Sequence, residues 1–327
     1  MVRVAAVDCG TNSVRLLVAE VPADGTALAD VVRRMEIVRL GQGVDRTGRL
    51  DPAAIERTRV ALADYARQIA ELGAQRVRMV ATSATRDASN ATEFHDMVVS
   101  TLGAPPEVIT GDEEARLSFL GATRGLPADA QPPYLVIDIG GGSTEFVLGG
   151  PSREQQGTVA SERSMVDSVV AVEHAVSVDV GCVRMTERHL VGDPPTADQV
   201  AAAEADIAAA VDRALAVVPG RRARTLVGLA GSVTTVAALA LRLPAYDPVA
   251  IHHSRIPYAD VAAVTEKLLS LTHSDRLALP PMHPGRADVI GAGALVLRVA
   301  MEKVGAESVV VSEHDILDGI AESIRDV

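Results

Sequence analysis

Two stretches of the sequence carry residue types suited to handling phosphate. Asp8-Cys9-Gly10-Thr11-Asn12-Ser13-Val14-Arg15-Leu16-Leu17 aligns without gaps on Asp138-Ile139-Gly140-Gly141-Gly142-Ser143-Thr144-Glu145-Phe146-Val147. Each reads as apolar strand, tight turn, apolar strand: a β-hairpin that opens a domain, with glycine supplying backbone angles other residues avoid. Turns built from Gly10, Thr11, Asn12 and Ser13, or from Gly140, Gly141, Gly142, Ser143 and Thr144, present backbone N–H groups and hydroxyls, and such an array cradles phosphate oxygens. The Asp ending the preceding strand, Asp8 or Asp138, can hold magnesium directly or through water. Either turn alone reads equally well as an ordinary hairpin of turn-forming residues. Their recurrence at matching places in two repeats favours the phosphate reading.

A third loop, Gly228-Leu229-Ala230-Gly231-Ser232-Val233-Thr234-Thr235, joins an expected strand to an expected helix. The amides of Gly231 and Ser232 then sit at a helix N-terminus, where the dipole favours an anion. Its glycine spacing is not that of the dinucleotide fingerprint, and the chain has no Walker lysine. His252-His253 and Glu313-His314-Asp315 contain metal-ligand residue types, but neither has partners at a recognised spacing.

Strands and helices must hold these turns. After the first hairpin the pattern predicts a strand from Val31 to Leu40 and a helix from Asp51 to Gly73, with Asp51 as N-cap, Pro52 at the first helical position, and Ile55, Leu62, Tyr65, Ile69 and Leu72 at helical spacing. A strand (77–82), a helix (90–102), a strand (107–110) and a helix from Asp112 follow. The stretch from Gly125 to Pro133, rich in Pro and Gly, reads as a linker. Beyond the second hairpin come a helix from Thr196 to Val218, a strand from Thr225 to Leu229, three further helical stretches, a strand from Ser308 to Ser312 and a helix from Ile316 to Ile324. Alternating strands and helices imply mostly parallel sheets covered by helices, built twice, with a cleft between the halves.

Composition narrows the field. At 327 residues the chain is long enough for about two domains at ~150 residues each. A hydrophobic fraction of 48% with 23% charged residues is that of a globular protein. A net charge of −12 and an aromatic content of 2% argue against nucleic acid and anionic lipid as partners, so a polyanion needs a local positive pocket. Only two of the 31 basic residues are lysines, Lys267 and Lys303; the arginine bias fits GC-rich codons and also suits bidentate phosphate recognition. Cys9 and Cys182 cannot form a disulfide framework. With no leader and no membrane span expected, the cytoplasm is the expected location.

The stretches 7–17, Gly111-Asp112-Glu113-Glu114-Ala115-Arg116, 136–145 and Gly181-Cys182-Val183-Arg184-Met185-Thr186-Glu187, with 286–290 and 309–312, resemble the exopolyphosphatase/guanosine pentaphosphate phosphohydrolase (Ppx/GppA) family over essentially the whole chain. That resemblance implies an α/β fold of two duplicated actin/hexokinase/heat-shock-70-like (ribonuclease H-like) domains flanking a cleft, spanning residues 1–126 and 127–327, with the final helix packing back on the first domain. The residue matching Glu114 is the family's carboxylate that activates the attacking water. The first turn of a helix suits an ionised base, although Asp112, Glu113 and Glu114 are also ordinary helix-start charges. The residue matching Glu145 is implied to help bind metal or water, and the one matching Arg86 to reach substrate phosphate. Arg15 stands where the second repeat has Glu145, so one turn offers phosphate a cation and the other offers metal a carboxylate. Asp8, Asp138 and Glu145 are thus the expected metal ligands, for Mg²⁺ with Mn²⁺ as a substitute.

The implied activity is removal of terminal orthophosphate from polyphosphate or from guanosine penta- or tetraphosphate, the stringent-response nucleotides, by a cytoplasmic homodimer whose halves close about the linker. A kinase of the same superfamily and a non-hydrolytic alarmone-binding regulator are the alternatives. Longer family members continue into a helical HD-type domain that this sequence does not contain, which leaves the preferred substrate open.

Overall fold

The computed structural model describes residues 1–22, 28–151 and 170–324. They form two mixed β-sheets with covering helices, and the chain separates into two compact units. One unit holds Met1–Arg124 with the described residues of Gly149–Glu173 and Asp315–Val327; the other holds Gly125–Leu148 and His174–His314. The first change of unit falls between Arg124 and Gly125.

In the first unit β1 (Val2–Cys9), β2 (Ser13–Val21) and β3 (Ala29–Ile37) form an antiparallel meander, and β4 (Arg76–Ala81) and β5 (Pro106–Val108) extend it in parallel from β1. The order is β3-β2-β1-β4-β5. Between these strands run α1 (Val44–Thr47), α2 (Pro52–Glu71), α3 (Ser83–Arg86) and α4 (Ala91–Leu102), and α5 (Gly111–Thr123) follows β5. Helix α2 starts where the Asp51 side chain accepts the N–H groups of Ala53 and Ala54, satisfying donors that a helix start leaves open. Its Leu62, Tyr65 and Ile69 then pack with Val7, Leu16 and Phe94 in the core.

The second sheet contains β6 (Tyr134–Ile139), β7 (Thr144–Pro151), β8 (Val170–Val178), β9 (Thr225–Leu229), β10 (Arg255–Pro257) and β11 (Ser308–Val311), in the order β10-β11-β9-β6-β7-β8. Strands β6, β9 and β11 are parallel, and β10 is antiparallel to β11. Without β10 the order is β8-β7-β6-β9-β11, that of the first sheet, so the duplication seen in the turns extends to whole sheets. The accompanying helices are α6 (Cys182–His189), α7 (Ala197–Val217), α8 (Ala230–Ala240), α9 (Pro248–Ile251), α10 (Tyr258–Ser270), α11 (His273–Leu277) and α12 (Ile290–Val304). Helix α7 starts with a reciprocal capping box between Thr196 and Gln199.

In each sheet a helix follows the last parallel strand: α5 after β5, and α13 (Ile316–Ser323) after β11. Helix α13 nevertheless belongs to the first unit. Ile316, Leu317, Ile320 and Ala321 are buried with Val4, Ala6, Leu17 and Ala19 of β1 and β2 and with Leu117 of α5. The expected strands and helices are present with ends matched or shifted by up to three residues, but five helices, α8 to α12, stand where three helical stretches were expected between β9 and β11. Two strands escape a pattern reading: β10, whose three residues are too short to show a period, and β8. No helix among the described residues is long and apolar enough to cross a membrane.

Candidate active site

The first turn connects β1 to β2. The Gly10 N–H donates to the Ser13 carbonyl at 3.0 Å and closes the turn. The segment after β3 then covers its carbonyls: Gly41 N–H donates to Thr11 O at 2.8 Å, and Val38 and Arg39 N–H donate to Asn12 O at 3.1 and 2.8 Å. Gly41 is required there, because a Cβ would collide with the Thr11 side chain. Arg39 holds φ 53°, the left-handed region, to make its contact. Nothing in the sequence pattern marked it. With the carbonyls taken, the amides of Thr11 and Asn12 donate to no backbone carbonyl among the described residues, which is the arrangement an oxyanion needs.

Asp8 and Arg15 face each other across β1 and β2. The Arg15 Nε and Nη2 donate to Asp8 Oδ2 at 3.0 and 2.7 Å, and its Nη1 donates to Asp315. Residues expected to serve metal and phosphate separately are thus joined, and the Arg15 charge is shared by two carboxylates. Burial pushes the Asp8 carboxyl up from the ordinary carboxylate range, against the pull of Arg15. Its Oδ1 is buried without a hydrogen-bond partner.

The same unit supplies the candidate base. Thr110 caps α5 by accepting the Glu113 N–H, and three acids follow. Asp112 is exposed, and Glu113 pairs with Arg78 at 2.9 Å. Glu114 alone is buried, and Arg86 Nη1 donates to its Oε2 at 3.1 Å and to Ile109 O at 2.9 Å. Of the three helix-start charges, this one has the surroundings of a working carboxylate.

In the second unit, the turn between β6 and β7 closes in the same way, with Gly140 N–H donating to Ser143 O at 3.0 Å. Its cover is the start of α6. Cys182 N–H donates to Gly140 O at 3.0 Å, Val183 and Arg184 N–H donate to Gly141 O at 2.9 and 3.1 Å, and Arg184 Nε donates to Gly142 O at 2.7 Å. A Cβ on Gly181 would stand 2.5 Å from the Gly141 carbonyl. The amides of Gly141 and Gly142 again donate to no backbone carbonyl among the described residues. Thr144, expected to bind phosphate, is fully buried, and its hydroxyl donates to Val180 O at 2.6 Å; it secures the strand instead. Asp138 and Glu145 are buried beside the turn, with Glu145 Oε1 accepting from Ser177 Oγ at 2.7 Å.

The third loop opens α8. Ala230 takes φ 70°, and a Cβ on Gly231 would lie 2.5 Å from the Arg286 guanidinium. Arg286 Nη1 donates to Thr235 Oγ1 at 3.1 Å, and its guanidinium lies 6.0 Å from the Tyr246 ring centroid. Gly231 therefore makes room for an arginine that sequence reasoning did not place in the site; the only signal was its membership of the stretch 286–290. Ser232 is buried against Gly293 and Cys182, so its hydroxyl serves packing rather than an anion.

Among the described residues no group of three His, Cys, Asp or Glu side chains could hold a metal ion. His252, His253 and His314 cluster, with ring centroids 3.6 and 4.7 Å apart, and His252 Nδ1 accepts the Glu313 N–H. The donors at the turns fit a hard dication in kind: Asp8, Asp138 and Glu145 are oxygen ligands, and Asp8 Oδ1 is a buried orphan acceptor. They are divided between the two units.

Known proteins share this architecture. The chain is 51% identical to Exopolyphosphatase 2 of Mycobacterium tuberculosis over 99% of both chains. Among solved structures, an exopolyphosphatase-like protein superposes with a TM-score of 0.90 at 43% identity, covering 99% of both chains. An Aquifex aeolicus PPX-GPPA enzyme gives a TM-score of 0.76 at 30% identity, covering 98% of this chain and 99% of that one. A profile of the Ppx/GppA phosphatase family matches residues 17–325, and with these relatives it establishes that the chain belongs to the Ppx/GppA phosphatase family.

Proposed function

We propose that the protein hydrolyses phosphoanhydride bonds, releasing terminal orthophosphate from inorganic polyphosphate, with guanosine penta- or tetraphosphate as the further substrate class. The observation that carries this reading is the recurrence of one turn in both units, closed by the same 3.0 Å bond and leaving two amides open each time. A protein of net charge −12 needs such local donors to hold a polyanion.

In this reading the amides of Thr11 and Asn12 in one unit, and those of Gly141 and Gly142 in the other, each bind phosphate oxygens of the polyanion. Glu114 accepts a proton from the attacking water, and Arg86, which donates to that carboxylate through Nη1, reaches the substrate phosphate with its remaining donors. The water oxygen bonds to phosphorus, the bridging P–O bond breaks, and its electron pair leaves with the shortened chain. Asp138 and Glu145 at the second turn, and separately Asp8 at the first, are the oxygen ligands on offer to Mg²⁺ or Mn²⁺, which when bound would neutralise charge on the phosphoryl oxygens. A cytoplasmic homodimer accompanies this reading, tested by sedimentation.

The deciding experiment measures phosphate release from tripolyphosphate, long-chain polyphosphate, guanosine pentaphosphate and ATP, with and without Mg²⁺. Release from the polyphosphates that depends on the cation is expected. Tight binding of the guanosine nucleotide without release would identify a regulator instead, and phosphate transfer from ATP to a hydroxyl acceptor a kinase.

A further inference from the structure

We propose that Asp315, at the start of α13, is a positioning residue for the first turn; this rests on the phosphohydrolase reading. Arg15 is gripped from two sides, with Nε and Nη2 on Asp8 and Nη1 on Asp315. Asp8 and Asp315 are both buried, so the guanidinium is held in one orientation and fixes the Asp8 carboxylate in turn.

Asp315 is itself held on every side. Its Oδ1 caps α13 by accepting the Leu317 N–H at 2.9 Å, and its own N–H donates to Asp318 Oδ2 at 2.9 Å. Arg33 of β3 donates to both Asp318 oxygens, at 2.7 and 3.2 Å. Helix α13 also meets α5, the helix of Glu114, backbone to backbone. A Cβ on Gly121 would strike the Asp315 carbonyl, and one on Gly319 would strike the Leu117 carbonyl. The Arg124–Glu322 pair lies at the other end of α13, away from Asp315. One short helix thus references both the candidate base and the Asp8–Arg15 pair to a common frame.

The second carboxylate also changes the charge of the turn. Asp8 alone would neutralise Arg15, and Asp315 leaves the trio with one negative charge in excess. Asp315 therefore lowers the attraction of the empty turn for phosphate while ordering the groups that act on it.

The test is Asp315→Asn, which retains the shape and the capping oxygen but removes the charge. The control is Glu322→Gln, which loosens the other end of α13. For tripolyphosphate, Asp315→Asn is expected to lower kcat about tenfold, the scale of lost outer-shell support, without raising KM. Glu322→Gln is expected to leave both constants unchanged. Calorimetric binding of tripolyphosphate to the metal-free protein should tighten in Asp315→Asn, an effect a merely structural role would not produce. A kcat within twofold of wild type, an equal loss in Glu322→Gln, or unchanged metal-free binding overturns the proposal. If Asp315→Asn does not fold, Asp315→Ser retains a capping hydroxyl and takes its place. A wild-type protein that releases no phosphate from any substrate refutes the phosphohydrolase reading instead, and the binding measurement still judges Asp315.

Discussion

The two turns share a backbone and differ in charge. Gly10 and Gly140 close them with the same bond, and the segments after β3 and β8 cover their carbonyls with amides. Yet Asp8 in the first turn carries an arginine, itself shared with Asp315, whereas the matching place in the second holds Glu145, steadied by Ser177. Both copies keep what the proposed phosphate grip requires, amides on a closed turn that donate to no backbone carbonyl among the described residues. The charged partners diverged because two copies of one grip need not do the same work. Glu114 deepens the asymmetry: α5 and α13 follow the last parallel strand of their respective sheets, but one presents a buried carboxylate to Arg86 and the other presents Asp315 to Arg15.

Substitutions test whether that asymmetry is functional. The largest effect is expected from Glu114→Gln, which removes the proposed proton acceptor and little binding charge: kcat should fall ~10²–10⁴-fold, the usual worth of a general base, with KM near wild type. Steady-state phosphate release checks this, and retention of more than about a tenth of the activity would show that the base lies elsewhere. Next, Glu145→Gln and Asp138→Asn should raise the Mg²⁺ concentration needed for half-maximal activity. Asp8→Asn should do so less, because its Arg15 contacts hold one of its oxygens. Equal shifts in Mg²⁺ titrations of all three would mean that the turns do not divide the work.

Gly181→Ala drives a Cβ to 2.5 Å from the Gly141 carbonyl, whereas Gly10→Ala meets nothing nearer than 3.6 Å. The first should destabilise by about 1–3 kcal/mol, as overpacking does, and the second by less; thermal melting compares them. The smallest effect is expected from Thr144→Val, which strips one buried hydrogen bond while leaving the turn amides intact. A loss of ~1 kcal/mol in denaturant unfolding with unchanged KM fits that geometry. A raised KM would return Thr144 to the phosphate site.

Local features follow from the order of residues alone. The turn residues, the Asp51 and Thr196 caps and the apolar spacing of α2 and α7 specify elements through contacts within a few positions, and that is why their ends were legible to within three residues. The matching of residues 8–17 with 138–147 likewise signals the repeated sheet order. Which polar groups meet depends on the docking of elements distant in the chain. Asp112, Glu113 and Glu114 are equivalent on paper, and Arg86 separates them because α3 and α5 meet. Thr144 and Ser232 carry hydroxyls that suit phosphate, but packing turns one toward Val180 and the other toward Gly293. Arg15 reaches an acid 300 positions away because α13 returns to bury its apolar face on β1 and β2. Charge pairing depends on which surfaces hydrophobic burial brings together, and a linear pattern holds no direct record of that docking.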